Sequence, residues 1–279
     1  MTRRAAVIGS PVAHSLSPVL HNAAFSALGL SDWTYTRVEC AADGVPALVA
    51  GLDSSWAGLS VTMPNKRAAL AVATSSTQRA AQVGAANTLV PVADGWRADN
   101  TDVDGVLGAL RAVCGFTSGT RAVLLGAGGT ATAALVALAS VGVRSVSLVV
   151  RSASRAAEAE TCASGLGLDL DTVTWDTADF AALASSSDVL VSTVPPAATE
   201  PIAAALAEAP TVLDVIYHPW PTPLACAVEK RGRTLATGLD MLLHQAFGQA
   251  EQFTGLPAPR EAMRAALREA TDNLLPLPC

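Results

Sequence analysis

Lysine is almost missing from this chain. Of 18 basic residues among 279, sixteen are arginine, and only Lys66 and Lys230 are lysine. Charge and aromatics are sparse as well, at 15% and 4%. No apolar run approaches the roughly 18–20 residues of a membrane-spanning helix. The stretch after Arg3-Arg4 stops at Gly9-Ser10-Pro11, too soon for a secretory core, and reads better as a first strand. The five cysteines are odd in number, scattered and never in CxxC, which excludes a disulfide framework and a zinc knuckle. His21, His218 and His244 show no metal-ligand spacing, and His14 reads as a packing or hydrogen-bonding residue. No basic run exists and the net charge is −6, which argues against nucleic acid as a partner. The expectation is a cytoplasmic globular protein, without metal, that acts on a small molecule.

What the chain does contain is alternation of strand and helix. In the middle, Ala122–Leu125 is a short apolar run, followed by a glycine turn and an alanine-rich helix to about Ser140. Val146–Val150, Val189–Val191 and Val212–Val215 are the next strands, a spacing that predicts a Rossmann-like, doubly wound parallel sheet over 103–237. Residues 1–102 read as a second α/β unit, with strands at Ala5–Ile8, Thr34–Val38, Leu59–Thr62 and Asn87–Val92. Ser17-Pro18 reads as an N-cap followed by a first-turn proline, with Gly29 as the stop. Helical patterns at Met241–Phe253 and Arg260–Leu267 place 238–279 with the first unit.

Gly126-Ala127-Gly128-Gly129-Thr130-Ala131 fits G-x-G-x-x-A between a strand and a helix. The pattern suits a dinucleotide: glycines permit a tight turn and close approach of backbone N–H groups to a pyrophosphate at the helix N-terminus. After the next strand stands Arg151-Ser152-Ala153-Ser154-Arg155 rather than an acidic residue. If a helix starts there, the i, i+4 spacing presents Arg151 and Arg155 on one side, with Ser152 beside them. Two cations and a hydroxyl favour NADP(H), because an NAD site usually offers Asp or Glu to the ribose.

The first unit carries four polar segments that a plain scaffold does not need. They are Gly9–Pro18 with its Ser15-Leu16-Ser17, Gly58–Lys66, Gly84–Thr88 and Asp99–Asp102. Together with the glycine turn and Gly238–Ala246, and in the same order, they resemble the shikimate dehydrogenase family across essentially the whole chain. The resemblance implies NADP-dependent, reversible reduction of 3-dehydroshikimate to shikimate, in the pathway toward aromatic amino acids. It implies that Ser15 and Ser17 bind the substrate carboxylate, that Thr62, Asn87, Asp102 and Gln245 hold the ring hydroxyls, and that Tyr217 lies on the substrate side. Lys66 and Asp102 match the catalytic pair, and Val215 and Gly238 match positions near the nicotinamide. Three residues depart from the usual pattern: Val150 and Ser60 stand where asparagine is common, and Asp240 replaces a glycine.

The chemistry suits these residue types. A carboxylate and three hydroxyls demand directed hydrogen bonds, and hydride delivery to a ketone builds charge on oxygen that an acid such as Lys66 must offset. Plainer roles compete: Ser17 and Asp102 as helix caps, Asn87 as a turn residue, Gln245 as a solvated helix position. Two rival functions use the same fold, a quinate/shikimate dehydrogenase with broader substrate and NAD use, and a non-catalytic NADP-binding sensor. The sequence leaves monomer and homodimer open.

Overall fold

The computed structural model describes residues 2–279. The chain divides into two compact units, one of residues up to Thr101 with Leu242–Cys279, the other Asp102–Met241.

The first unit is built on six strands: β1 (Arg3–Gly9), β2 (Trp33–Glu39), β3 (Trp56–Val61), β4 (Ser75–Ser76), β5 (Thr88–Val92) and β6 (Gly95–Asp99). Their order is β2-β1-β3-β5-β6-β4, with β1, β2 and β3 parallel and β5 antiparallel to both β3 and β6. Side chains alternate across β1. Ala6 and Ile8 join Leu59, Val61, Leu89 and Val49 on one face, while Ala5 and Val7 join Phe25, Tyr35, Val90 and Phe253 on the other. Both faces are therefore covered, as a sheet with parallel strands requires. Helix Ser17–Ala27 also packs on helix Arg260–Ala270.

The second unit holds β7 (Arg121–Leu125), β8 (Ser145–Val150), β9 (Asp169–Thr174), β10 (Val189–Ser192), β11 (Val212–Asp214) and β12 (Leu235–Thr237). All pairs are parallel, in the order β12-β11-β10-β7-β8-β9. Counted within the unit this is 3-2-1-4-5-6, the Rossmann arrangement, with the reversal of strand order between β7 and β10. Helix Gly129–Ser140 is apolar on nearly every side and buries Ala131 through Leu138. Its alanines let it lie close to the sheet.

Four expectations need correction. Ser17 is not an N-cap; Leu16 precedes the helix without a side-chain bond, and Ser17 is its first residue. The Ser17 N–H instead donates to Ser15 Oγ at 3.3 Å. No α-helix starts at Arg151, because Ser152 is extended (φ −151°, ψ 133°) and a 3-10 turn over Ala153–Arg155 precedes helix Ala157–Leu166. The helix after β12 begins at Gly238 rather than Met241, because Thr237 and Asp240 cap it reciprocally. His14 is exposed, so it is not a core-packing residue. Strands β6, β9 and β12 carry no strong apolar pattern and were not anticipated.

Candidate functional site

In the first unit the turn after β1 carries Ser15 and Ser17. The end of β2 braces it: Arg37 donates to the Ser15 carbonyl from Nε at 3.0 Å and Nη2 at 2.6 Å, and Glu39 accepts from Val12 N–H at 3.1 Å. Ser15 Oγ donates to Ser17 Oγ at 3.2 Å, so the two hydroxyls form one polar cluster, half-buried at Ser15 and buried at Ser17. After β3 the chain turns through Thr62, whose N–H donates to Ile8 O at 2.9 Å. Gly9 is required beside it, since a Cβ there would collide with the Thr62 methyl. Asn65 is wholly buried and ties this turn to Cys40 through Nδ2–H···O at 2.8 Å. Lys66, half-buried, is the first residue of helix Lys66–Val72.

Asn87 and Gln245 form a second cluster, 2% and 7% exposed, which excludes the reading of Gln245 as a solvated position. Asn87 Oδ1 accepts from Thr101 N–H at 2.8 Å and from Thr88 Oγ1 at 2.7 Å. Its Nδ2 donates to Thr101 Oγ1 at 3.0 Å and to Gln245 Oε1 at 3.3 Å. Gln245 Nε2 donates to Leu242 O at 3.1 Å. Beneath these groups lies a layer that sequence reasoning missed: His21, Tyr35 and Gln249. The His21 and Tyr35 rings stack at 4.3 Å with 6° between planes. Burial drives the His21 pKa down to about 4, against a hydrogen bond to Gln249, and pushes the Tyr35 hydroxyl well up. A signal for Gln249 existed, because it lies one helical turn beyond Gln245 (i, i+4) and so on the same face.

Ser60, one of the three departures, donates to Gln249 Oε1 at 2.7 Å. Buried Asp99 anchors the segment leading to Asp102, accepting from Arg79, Thr77, Gln252 and the Asn100 N–H. Burial alone would raise its pKa, but Arg79, Thr77 and the Asn100 N–H outweigh that and hold it below the ordinary aspartate value.

In the second unit Asp102 is buried at the start of helix Asp102–Cys114. A cavity of about 520 Å³ opens at the carboxyl ends of β7, β8 and β10, the crevice where open α/β sheets bind ligands. Its walls include Gly126, Ala127, Gly128, Arg151, Arg155 and Trp175, but not Gly129, Thr130 or Ser152. Gly126 is fixed as glycine by φ +95° and by Thr193 Oγ1, which lies 2.5 Å from where a Cβ would be. Gly128 has no protein atom within 4 Å of its Cβ direction, so open space stands over the helix N-terminus. That helix has no side-chain cap and no acidic residue in its first turn, which leaves its N–H groups for an anion. Arg151 and Arg155 are exposed, and neither forms an ion pair among the described residues. Val150 is buried, its carbonyl accepts from Trp175 N–H at 2.8 Å, and it lines the same cavity beside Arg151.

Val215, Tyr217 and Gly238 are also brought together. A Cβ on Gly238 would run into the Val215 carbonyl and approach Tyr217 Cδ1 to 2.9 Å, so only glycine fits. Asp214, buried, accepts from Thr222 Oγ1 at 2.8 Å and Ile216 N–H at 3.3 Å, which closes the loop carrying Tyr217. Burial lifts the Asp214 pKa to about 6, and it also raises that of Tyr217. The third departure is resolved too: Asp240 Oδ2 accepts from Thr237 N–H at 2.9 Å and Oγ1 at 2.6 Å, so its charge faces a helix N-terminus. No helix among the described residues is long and apolar enough to cross a membrane.

Comparison with known proteins decides the family. Residues 7–89 match the shikimate dehydrogenase substrate binding domain and 238–268 the shikimate 5'-dehydrogenase C-terminal domain. A shikimate dehydrogenase (NADP(+)) from Methylobacterium radiotolerans is 39% identical over 274 residues, covering 93% of both chains. The chain belongs to the shikimate dehydrogenase family. The crystal structure of the Mycobacterium tuberculosis shikimate dehydrogenase is 51% identical with a TM-score of 0.90, over 96% of this chain and 99% of that one. The Thermus thermophilus shikimate 5-dehydrogenase, solved with NADP(H) and shikimate, is 30% identical with a TM-score of 0.82, over 96% of this chain and 100% of that one. A quinate dehydrogenase from Corynebacterium glutamicum in complex with NAD is 28% identical with a TM-score of 0.85, over 96% and 99%.

Proposed function

We propose that this shikimate dehydrogenase family member catalyses the NADP-dependent, reversible reduction of 3-dehydroshikimate to shikimate, a step toward aromatic amino acids. The observation that carries the reading is the state of its polar groups. Asn87 and Gln245 are buried side by side with their amides held in fixed orientations by protein partners, an arrangement set before a ligand arrives and apt for reading hydroxyls. Ser15 and Ser17 take the substrate carboxylate, Thr62, Asn87 and Gln245 the ring hydroxyls, and Tyr217 adds a contact.

The glycine turn, the helix without a side-chain cap and the two arginines, which form no ion pair among the described residues, fit NADP(H): N–H groups of the turn for the pyrophosphate, Arg151 and Arg155 for the 2′-phosphate. When bound, NADPH supplies the hydride. Lys66 donates the one proton that neutralises the new alkoxide, and Asp102 accepts from a substrate hydroxyl.

The test is absorbance at 340 nm with shikimate or quinate, each paired with NADP or NAD. Turnover of shikimate with NADP is expected to dominate. Turnover of quinate with NAD alone would replace this reading, and no turnover in any pairing would favour a sensor.

A further inference from the structure

Gln249, 1% exposed on helix Gly238–Thr254, has its hydrogen-bonding capacity filled by protein groups. Its Nε2 donates to Asn87 O at 3.0 Å and to Thr88 Oγ1 at 3.1 Å. Its Oε1 accepts from Ser60 Oγ at 2.7 Å and faces His21 Nε2 at 3.3 Å. Two donors and two lone pairs are thus used, which fixes which end of the amide is which. His21 must then carry its proton on Nε2, because Oε1 can only accept. Its Nδ1 has no partner, and burial keeps the ring neutral.

The consequence reaches Asn87. Thr88 Oγ1 accepts from Gln249 and so turns its own proton toward Asn87 Oδ1, 2.7 Å away. With Thr101 N–H on the same oxygen, Asn87 is left with only one orientation, Nδ2 toward Thr101 Oγ1 and Gln245. Gln249 therefore ties together three segments: the backbone at Asn87, strand β3 two residues before Thr62, and helix Ser17–Ala27 through His21.

We propose that Gln249 is a positioning residue for substrate recognition, reinforcing the orientation that the Thr101 N–H gives Asn87 and setting the spacing between the Ser17, Thr62 and Asn87 segments. This rests on those residues being the shikimate contacts. It also gives Ser60 a reason: a short hydroxyl is what fits opposite a glutamine that already fills the space.

Gln249→Met keeps the volume and removes all four bonds. Its KM for shikimate should rise about 10-fold while its KM for NADP stays within about 2-fold of wild type. A Ser60→Asn/Gln249→Ala double variant brings an amide in from β3 and should recover most of the lost shikimate affinity. Unchanged shikimate KM with only a lowered melting temperature would show a merely structural residue and overturn the proposal. A parallel rise in both KM values would overturn it as well. Should Gln249→Met not yield folded protein, Gln249→Asn decides, since a retained but retracted amide must raise the shikimate KM selectively. Absence of shikimate turnover in the wild type would instead defeat the functional reading, so the two failures are distinct.

Discussion

Removing Arg151 and Arg155 should erase preference for the phosphorylated cofactor while leaving the protein folded. A guanidinium and a phosphate about 4 Å apart attract by roughly 4 kcal/mol per unit charge at an effective dielectric near 20. Both side chains are exposed, so solvent and salt reduce this toward the lower end of charge-assisted hydrogen bonds, about 1.5 kcal/mol each. At 1.4 kcal/mol per factor of ten, each alanine variant should lose about 10-fold in kcat/KM for NADP, and the double variant about 100-fold. The values for NAD, which lacks the 2′-phosphate, should hardly move, and Arg151→Asp should favour NAD outright. Neither arginine forms an ion pair among the described residues, so stability should change by no more than about 0.5 kcal/mol. Initial rates with NADP and NAD at low and high ionic strength provide the assay, and added salt should narrow the wild-type preference. Equal losses for both cofactors would refute the reasoning, since the arginines would then be holding something common to both.

Lys66→Arg keeps the charge but removes a group able to give up its proton, so kcat should fall by about 100-fold or more while calorimetry still detects shikimate binding. A normal kcat would reassign Lys66 to binding. Asp99→Asn leaves half-buried Arg79 without its counter-charge, which should cost about 3 kcal/mol and lower the melting temperature by roughly 5–10 °C. Because the folded-state pKa of Asp99 is depressed, its stabilisation is complete at neutral pH and is lost as pH falls through that pKa; the variant's stability should decline less in acid. Asp214 works the other way. Its pKa rises from 3.8 to about 6, so the folded state keeps a proton that the unfolded chain releases, and stability falls as pH rises between those values. Asp214→Asn preserves an acceptor for Ile216 N–H and offers a donor to Thr222, so at pH values near 8 it should be more stable by about 1–3 kcal/mol. That gain should vanish near pH 4; equal differences at both pH values, read by thermal melts, would refute it.

The parts of the fold that were legible in the sequence are those with strong local signals. Strands β7, β8 and β10 are apolar runs, β7 running straight into Gly126, and the Gly29 stop appears as a left-handed residue with φ +71°. Strand β9, Asp-Leu-Asp-Thr-Val-Thr, was illegible because it is an edge strand paired only to β8 and has little to bury. Strand β6 is largely polar and β12, Leu-Ala-Thr, is only three residues long, so only their neighbours make them strands. Motif spacing located the glycine turn, yet it misjudged how Arg151 and Arg155 meet. They line one cavity through a 3-10 turn rather than along one face of an α-helix. Tyr35 and Gln249 escaped notice because a buried polar layer is defined by contacts between residues up to 228 positions apart.

Two of the three departures from the family pattern show how local such compensation is. Ser60 is answered by Gln249 and Asp240 by Thr237, each through a bond within its own unit, whereas nothing in the structure explains the valine at 150. None of these bonds involves Lys66. A cation in the first turn of a helix opposes the dipole by roughly 0.3–1 kcal/mol, and Asn65, which precedes it, makes no cap bond but ties the turn to Cys40 instead. In a chain that uses arginine for nearly every other positive charge, lysine persists at a place unfavourable for helix stability. The other lysine, Lys230, sits in the last turn of helix Pro223–Lys230, where a cation is welcome and arginine would serve equally well. Scarcity alone therefore distinguishes neither residue. Placement does, and it supports the chemical role proposed for Lys66, while Lys230 needs nothing beyond the scaffold.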